Sequence, residues 1–252
     1  MKIAVTGKGG TGKTTVSAAL ATLFAGEGKR VILIDADPDA NLQTTLGLAG
    51  SVTPLVEMSS LIEERTGAAP GAPRGIFLLN PRVDDIPERF FLKSGNILLG
   101  VMGTVRQGGS GCACPENAFL KALLRHLILD RKDVVILDME AGIEHLGRGT
   151  ASGVDWLLAI TEPSAKSIET TGRIMKLASD LDIPRIGIVG NKVEGEHHSG
   201  YLREHLPERI LGFVPYDASL RDADLRDSVP WEKLPRVLEA VRSIIDEMRR
   251  RV

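Results

Sequence analysis

The sequence predicts an α/β fold in which a doubly wound, mostly parallel sheet of about eight strands is flanked by helices. Short apolar runs alternate with helical patterns along the chain, and most of the runs are unbroken and rich in Val, Ile and Leu. Strands covered by helices on both faces have this composition, because neither face meets water. With 252 residues, of which 43% are hydrophobic, the chain can bury a substantial core. We expect a single domain over residues 1–252.

The predicted elements follow one another in the order that such a sheet requires. The strands are residues 2–5, 31–35, 76–79, 96–102, 133–138, 156–161, 185–191 and 210–214. Helical patterns occupy residues 14–26, 116–129, 164–181 and 231–250. A helix between two strands of one sheet favours a parallel pair, so this alternation predicts a parallel sheet.

Composition excludes several classes of partner. The formal net charge of −2 gives no support for a nucleic-acid partner or an anionic membrane surface. Two cysteines in the chain favour a reducing compartment over a disulfide framework. The longest apolar runs are too short to cross a bilayer, and no targeting segment is visible. We therefore expect a cytoplasmic protein.

The segment GKGGTGKT, residues 7–14, matches the phosphate-binding pattern G-x-x-x-x-G-K-[ST]. It lies between a predicted strand and a predicted helix, which is the context that the pattern needs. In such a loop the backbone N–H groups bind phosphate oxygens, Lys13 reaches the β- and γ-phosphates, and the Thr14 hydroxyl binds Mg²⁺. We expect a nucleotide with Mg²⁺ in contact with Gly7, Gly9, Gly10, Thr11, Gly12, Lys13, Thr14 and Thr15.

Aspartates end two further predicted strands. DADPDANL places Asp35, Asp37 and Asp39 at alternate positions, where a carboxylate can orient the attacking water. VVILD ends in Asp138 and is typical of a Walker B segment, whose aspartate holds Mg²⁺. The roles of Asp35 and Asp39 stay open.

Lys8 distinguishes this loop from an ordinary phosphate loop. KGGTGKTT resembles the deviant Walker A signature of the P-loop NTPase family that includes nitrogenase iron protein, MinD, ParA and the tail-anchored-protein targeting ATPases. The resemblance implies a homodimer with nucleotide between its subunits, in which Lys8 crosses to the partner's phosphates as an arginine finger does elsewhere. An Asp-Pro pair recurs in the family's switch I, which selects Asp37. The implied catalytic residues are Lys8, Lys13 and Asp37.

GNKVE, residues 190–194, follows another predicted strand. The Asn191 amide can pair with a purine edge as both donor and acceptor. The guanine-reading pattern N-K-x-D is nearly present, with Glu194 in place of the aspartate, so GTP stays open. The family resemblance favours ATP, with Asn191 reading adenine and the backbone around Pro215 closing over the base.

Both cysteines lie in GGSGCACPEN, residues 108–117. Thiols at this spacing can chelate one soft ion, whereas a disulfide between them would be strained. Two thiolates fill half of a four-coordinate site, and a twofold dimer would bring Cys112 and Cys114 of both subunits together as four sulfurs. Tetrahedral coordination suits Zn²⁺ and square-planar coordination suits Ni²⁺, so the spacing leaves the metal open.

With its C-A-C-P and DMEAGIEHLGRG segments, the chain resembles the CooC family of maturation ATPases for nickel carbon monoxide dehydrogenase. The resemblance covers essentially the whole chain. It implies an ATP-hydrolysing metallochaperone, dimeric with nucleotide and metal, that inserts nickel into carbon monoxide dehydrogenase, with Zn²⁺ able to occupy the same sulfurs. His145 lies in the expected switch II without an assigned role. A MinD- or ParA-like positioning ATPase and a nitrogenase-reductase-like iron–sulfur ATPase stay open as alternatives.

Overall fold

A computed structural model describes residues 1–37, 39–71, 76–104, 114–140, 142, 148–207, 209–223, 229 and 231–251. Within this part of the chain, no helix is long and apolar enough to cross a membrane.

An eight-stranded sheet forms the centre of the fold, in the order β3-β4-β2-β5-β1-β6-β7-β8. All neighbouring strands are parallel except β3 and β4, which are antiparallel. The prediction of a mostly parallel sheet of about eight strands is therefore confirmed. The strands are β1 (Lys2–Gly7), β2 (Val31–Asp35), β3 (Leu92–Ser94), β4 (Ile97–Val101), β5 (Val134–Asp138), β6 (Trp156–Thr161), β7 (Ile186–Val193) and β8 (Ile210–Pro215).

Helices cover both faces of the sheet, and each face has its own core. Ile32 and Ile34 of β2 pack on the face that includes Phe119, whereas Val31 and Leu33 pack on the opposite face with Phe24. The helices are α1 (Lys13–Gly26), α2 (Leu42–Leu46), α3 (Ser59–Thr66), α4 (Ile86–Phe90), α5 (Pro115–Arg125), α6 (Arg148–Ala151), α7 (Ala165–Asp180), α8 (Gly195–His205), α9 (Ala218–Ala223) and α10 (Pro235–Arg250). A π-helical turn (His126–Asp130) extends α5, and 3₁₀ turns lie at Leu55–Glu57 and Trp231–Lys233.

One predicted strand is wrong. Residues 76–79 form no strand, and Ile76 is 99% exposed. The position beside β4 at the edge of the sheet is taken instead by β3, which joins β4 through the two-residue turn Gly95 and Asn96. A tight hairpin places its second strand beside the first without a long connection, so β3 and not the segment 76–79 takes the position next to β4.

The strand order brings the carboxyl ends of three strands together. Strands β2, β5 and β1 are consecutive neighbours in the sheet, and all three are parallel, so their carboxyl ends lie at one edge. Ligands of open α/β sheets bind at this edge. The phosphate-binding pattern follows β1, and Asp35 and Asp138 are the last residues of β2 and β5.

Candidate nucleotide site

The phosphate loop joins β1 to α1 and adopts a conformation that depends on glycine. Gly10 and Gly12 have φ of 80° and 88°, which L-residues with a side chain rarely adopt. Gly7 lies against the backbone carbonyl of Ile160, where a Cβ atom would clash. Lys13 begins α1 and is 7% exposed. The loop therefore places backbone N–H groups and a buried lysine at the N-terminus of a helix, which is the arrangement that binds phosphate.

The other predicted site residues of the loop differ in their exposure to solvent. Thr14 and Thr15 are half-buried in the first turn of α1, and Lys8 is half-buried in the loop, whereas Gly9 and Gly10 are exposed. Among these residues, the two glycines are therefore the ones most accessible to solvent.

Asp35 and Asp138 are partners in register on neighbouring strands and are fully buried. Ser17 Oγ donates to Asp138 Oδ1 at 3.1 Å, while Asp138 Oδ2 is buried without a hydrogen-bond partner among the described residues. Burial raises the pKa of Asp138 to about 7; the charge of Asp35 adds to this effect, and the hydroxyls of Thr14 and Ser17 and the charge of Lys13 oppose it. The Asp138 carboxylate and the Thr14 hydroxyl offer oxygen ligands at one place, which fits Mg²⁺, a hard cation that takes oxygen ligands.

Asp35 holds the loop that follows β2. Its Oδ2 accepts from Leu42 N at 2.9 Å and its Oδ1 from Asp37 N at 3.2 Å. Burial raises the pKa of Asp35 to about 6; the N–H groups of Leu42 and Asp37 oppose this shift, and the charge of Asp37 adds to it. Asp37 in turn accepts from Asp39 N at 3.1 Å. The Asp35 carboxylate, whose role the sequence left open, thus fixes the backbone at Asp37 and at the start of α2.

Two side chains of β7 donate hydrogen bonds to the phosphate loop. Asn191 Nδ2 donates to Thr11 O at 2.7 Å, and Lys192 Nζ donates to Gly10 O at 2.6 Å. The sequence singled out Asn191 but not Lys192. A cationic side chain directly after Asn191 was the only available signal, and it does not reveal a contact across 182 positions.

The residues at the ends of β7 and β8 lie close to each other. Pro215 ends β8 and is half-buried, and Tyr216 N donates to Val193 O at 3.1 Å. Glu194 precedes α8, and its N–H donates to His198 Nδ1 at 3.1 Å. The neighbourhood expected for a nucleotide base is therefore assembled from two adjacent strand ends.

Cys114 is half-buried and directly precedes α5 in an extended backbone conformation. Its carbonyl accepts from Ala118 N at 3.0 Å, which closes the first turn of the helix. Cys112, Pro38 and His145, which the sequence analysis also named, lie outside the described residues.

The loop between β1 and α1, with aspartates ending two neighbouring strands, defines a P-loop nucleotide-binding protein. Residues 2–231 match the family described as the CobQ/CobB/MinD/ParA nucleotide binding domain. The chain belongs to this family and is a P-loop ATPase.

Several relatives match most of the chain. An uncharacterized ATP-binding protein of Methanocaldococcus jannaschii is 50% identical over 220 residues, which are 86% of each chain. The carbon monoxide dehydrogenase accessory protein CooC of Rhodospirillum rubrum is 46% identical over 229 residues, 89% of this chain and 87% of the relative. Among solved structures, MinD of Pyrococcus horikoshii in complex with Mg-ADP has a TM-score of 0.66 at 17% identity, covering 98% of this chain and 95% of MinD. At that identity the likeness concerns the fold alone.

Proposed function

We propose that this chain is an ATP-driven metallochaperone that binds Ni²⁺ between two copies of itself, through Cys112 and Cys114, and delivers it to carbon monoxide dehydrogenase. The observation that supports this function most is the 46% identity to the CooC accessory protein over 89% of the chain. Nickel is the cargo in this proposal, and Zn²⁺ competes for the same four sulfurs.

The nucleotide chemistry rests on the residues at the carboxyl edge of the sheet. Lys13 binds the β- and γ-phosphates, and Thr14 and Asp138 hold Mg²⁺, which supplies charge stabilisation to the transferring phosphoryl group when it is bound. Asp37, whose backbone is fixed by Asp35, orients the attacking water. Lys8 reaches the phosphates of the partner subunit and supplies the positive charge that hydrolysis needs.

Base recognition is assigned to Asn191 and to the backbone at Pro215. The contact with Thr11 O uses one of the two N–H groups of the Asn191 amide. The second N–H and the oxygen can pair with the edge of adenine.

The cysteine-bearing segment starts and ends next to elements of the nucleotide site. It leaves β4 at residue 102, and Met102 N donates to Asp35 O at 2.8 Å. It ends in α5, which contacts α6, and α6 follows the Walker B strand β5. Gly153, just after α6, lies so close to Ile128 that an added Cβ atom would stand 2.7 Å from its Cγ2. These contacts support a mechanical link between the phosphates and the sulfurs.

Metal analysis and mass measurement test the proposal together. Protein is loaded with NiCl₂, with and without a nonhydrolysable ATP analogue, and metal per subunit and molecular mass are measured. We expect half a Ni²⁺ per subunit, a dimer that either ligand strengthens, and retention of ATP binding but loss of metal in Cys112→Ser with Cys114→Ser. Because these are the only cysteines of the chain, the double variant removes every thiol.

A matched control is His197→Ala with His198→Ala, which removes two adjacent imidazoles on α8 and should leave Ni²⁺ bound. Metal retained by the double serine variant, or a mass that neither ligand changes, would contradict the proposal. A brown visible absorbance would instead favour an iron–sulfur protein, and ATP-dependent sedimentation with vesicles a positioning ATPase. Delivery itself is measured as activation of nickel-free carbon monoxide dehydrogenase.

A further inference from the structure

Three carbonyl oxygens of the phosphate loop are occupied by donors from the protein. Lys8 O accepts from Thr11 N at 3.2 Å and from Thr11 Oγ1 at 2.8 Å. Thr11 O accepts from Asn191, and Gly10 O accepts from Lys192. Carbonyl oxygens repel phosphate, so a loop that binds anions must turn them away and leave its N–H groups facing the ligand. The two contacts from β7 do this from outside the loop.

A local irregularity in β7 makes both contacts possible. Successive side chains of a regular strand point to opposite faces, yet Asn191 and Lys192 both reach the same loop. The pairing of β7 with β8 advances from Gly190 to Val193 on one strand but only from Phe213 to Pro215 on the other. This register shift of one residue is an irregularity of the strand pairing, and such irregularities redirect side chains.

Lys192 also has an unusual backbone. Its φ is 57°, in the left-handed region, and it is one of few residues other than glycine with a positive φ in the described part of the chain. Such conformations are energetically unfavourable and persist where the surroundings enforce them. The strain is located at the residue whose ammonium group donates to the apex of the phosphate loop.

The lysine is oriented by a second charged group. Glu162 Oε2 lies 3.6 Å from Lys192 Nζ. Glu162 follows β6, and its N–H donates to Ser167 Oγ at 3.1 Å. Ser167 is fully buried and also bonds Thr161 Oγ1 at 2.9 Å, so the backbone that bears the carboxylate is fixed.

We propose that Lys192, oriented by Glu162, is a positioning residue that holds the phosphate loop in its binding conformation before nucleotide arrives. It acts through the Gly10 carbonyl rather than on the reacting atoms. Since the conformation is needed for ADP and ATP alike, loss of Lys192 weakens the binding of both and leaves the chemical step largely unchanged.

The test is Lys192→Met, with the affinities for Mg-ADP and for a nonhydrolysable Mg-ATP analogue and the steady-state ATPase constants as readouts. A hydrogen bond from a charged donor predicts a loss of roughly tenfold in both affinities, a matching rise in KM and a change in kcat below about twofold. Lys192→Arg, which can still donate, should recover most of the affinity. Glu162→Gln should show a smaller loss in the same direction.

Lys176→Met, at an exposed position on α7, is the control for removing a lysine and should leave all constants unchanged. Repeating the titrations at about 0.5 M salt separates a positioning role from a long-range charge effect, because salt screens the latter. The inference is overturned if Lys192→Met binds both nucleotides normally, if its defect disappears in high salt, or if kcat falls while KM stays constant. None of these results bears on the cysteines, so the metal proposal is tested separately.

Discussion

Asp35 and Asp138 sit side by side at the carboxyl ends of two parallel strands, and neither carboxyl group is accessible to solvent. Burial raises the pKa of both carboxyl groups, and the charge of Asp35 adds to the effect at Asp138. Lys13, at the start of the neighbouring helix, acts in the opposite direction on Asp138. The apo site is therefore electrostatically unfavourable at neutral pH, and a divalent cation would relieve it.

Asp138→Asn should stabilise the apo protein at pH 8 while removing its response to Mg²⁺ and nucleotide. The pKa of Asp138 is raised to about 7 in the folded protein, against about 3.9 in an unfolded chain. A carboxyl group with a raised folded pKa favours folding below about pH 4 and loses that contribution as the pH rises through 7. Thermal unfolding from pH 5 to 8 with a chelator should show a steeper decline for the wild type than for the variant.

The control for that comparison is wild-type protein with saturating Mg-ADP, whose stability should decline less between pH 5 and 8. If the variant is less stable than the wild type at pH 8 without Mg²⁺, the charge of Asp138 does not destabilise the apo protein.

Asp37→Asn should reduce ATP hydrolysis by about 10²–10⁴-fold, the range for loss of a group that acts on the attacking nucleophile. ATP affinity should change little, because the residue is assigned to the water and not to the phosphates. Asp39→Asn, two positions further in the same loop, is the comparison and should cost much less. Equal losses in the two variants would mean that the loop, rather than the Asp37 carboxylate, is responsible.

Lys8→Gln should separate binding from dimerisation. We expect the variant to bind ATP as a monomer but to hydrolyse it about 10³-fold more slowly and to form no nucleotide-dependent dimer, as measured by light scattering. Lys13→Gln should lose nucleotide binding itself. If Lys8→Gln dimerises with ATP as the wild type does, Lys8 does not cross the interface.

Gly12→Ala should impair nucleotide binding for two reasons that a matched variant separates. Its φ of 88° strains any larger residue, and the new Cβ atom would clash with the Asn191 amide that holds the loop. Gly28 has a similar φ of 78° but open space around it, so Gly28→Ala measures strain alone. Both variants should lose about 1–3 kcal/mol of stability, and only Gly12→Ala should lose ATP affinity in a titration.

The parts of the fold that local patterns specify were predictable. Unbroken apolar runs identified β1, β2 and β4 to β8, because strands covered on both faces need no polar positions. The run at residues 76–79 has the same appearance but no neighbour to pair with, and pairing is not a local property. Strand β3 escaped prediction because Leu92–Ser94 is only three residues long and gains its structure from the hairpin with β4.

The candidate site likewise combines residues that a local pattern predicts with contacts that no local pattern indicates. The phosphate-binding pattern located the loop, Lys13 and Thr14 directly, because the chemistry requires those residues at that spacing. Nothing near Asp35 in the sequence indicates that its carboxylate accepts from Leu42, and nothing near Lys192 indicates a partner at Gly10. The Lys192 contact joins segments that are 182 positions apart and depends on strand order and on the irregularity of β7. The Asp35 contact spans only seven positions and depends on how the segment after β2 folds back.

The tethered carbonyls of the phosphate loop have a consequence for assembly. A phosphate loop that the protein already holds in its binding conformation needs little reorganisation when a nucleotide binds. In the dimer that we propose, more of the free energy released on nucleotide binding would then be available for the approach of a second subunit at the exposed residues Gly9 and Gly10.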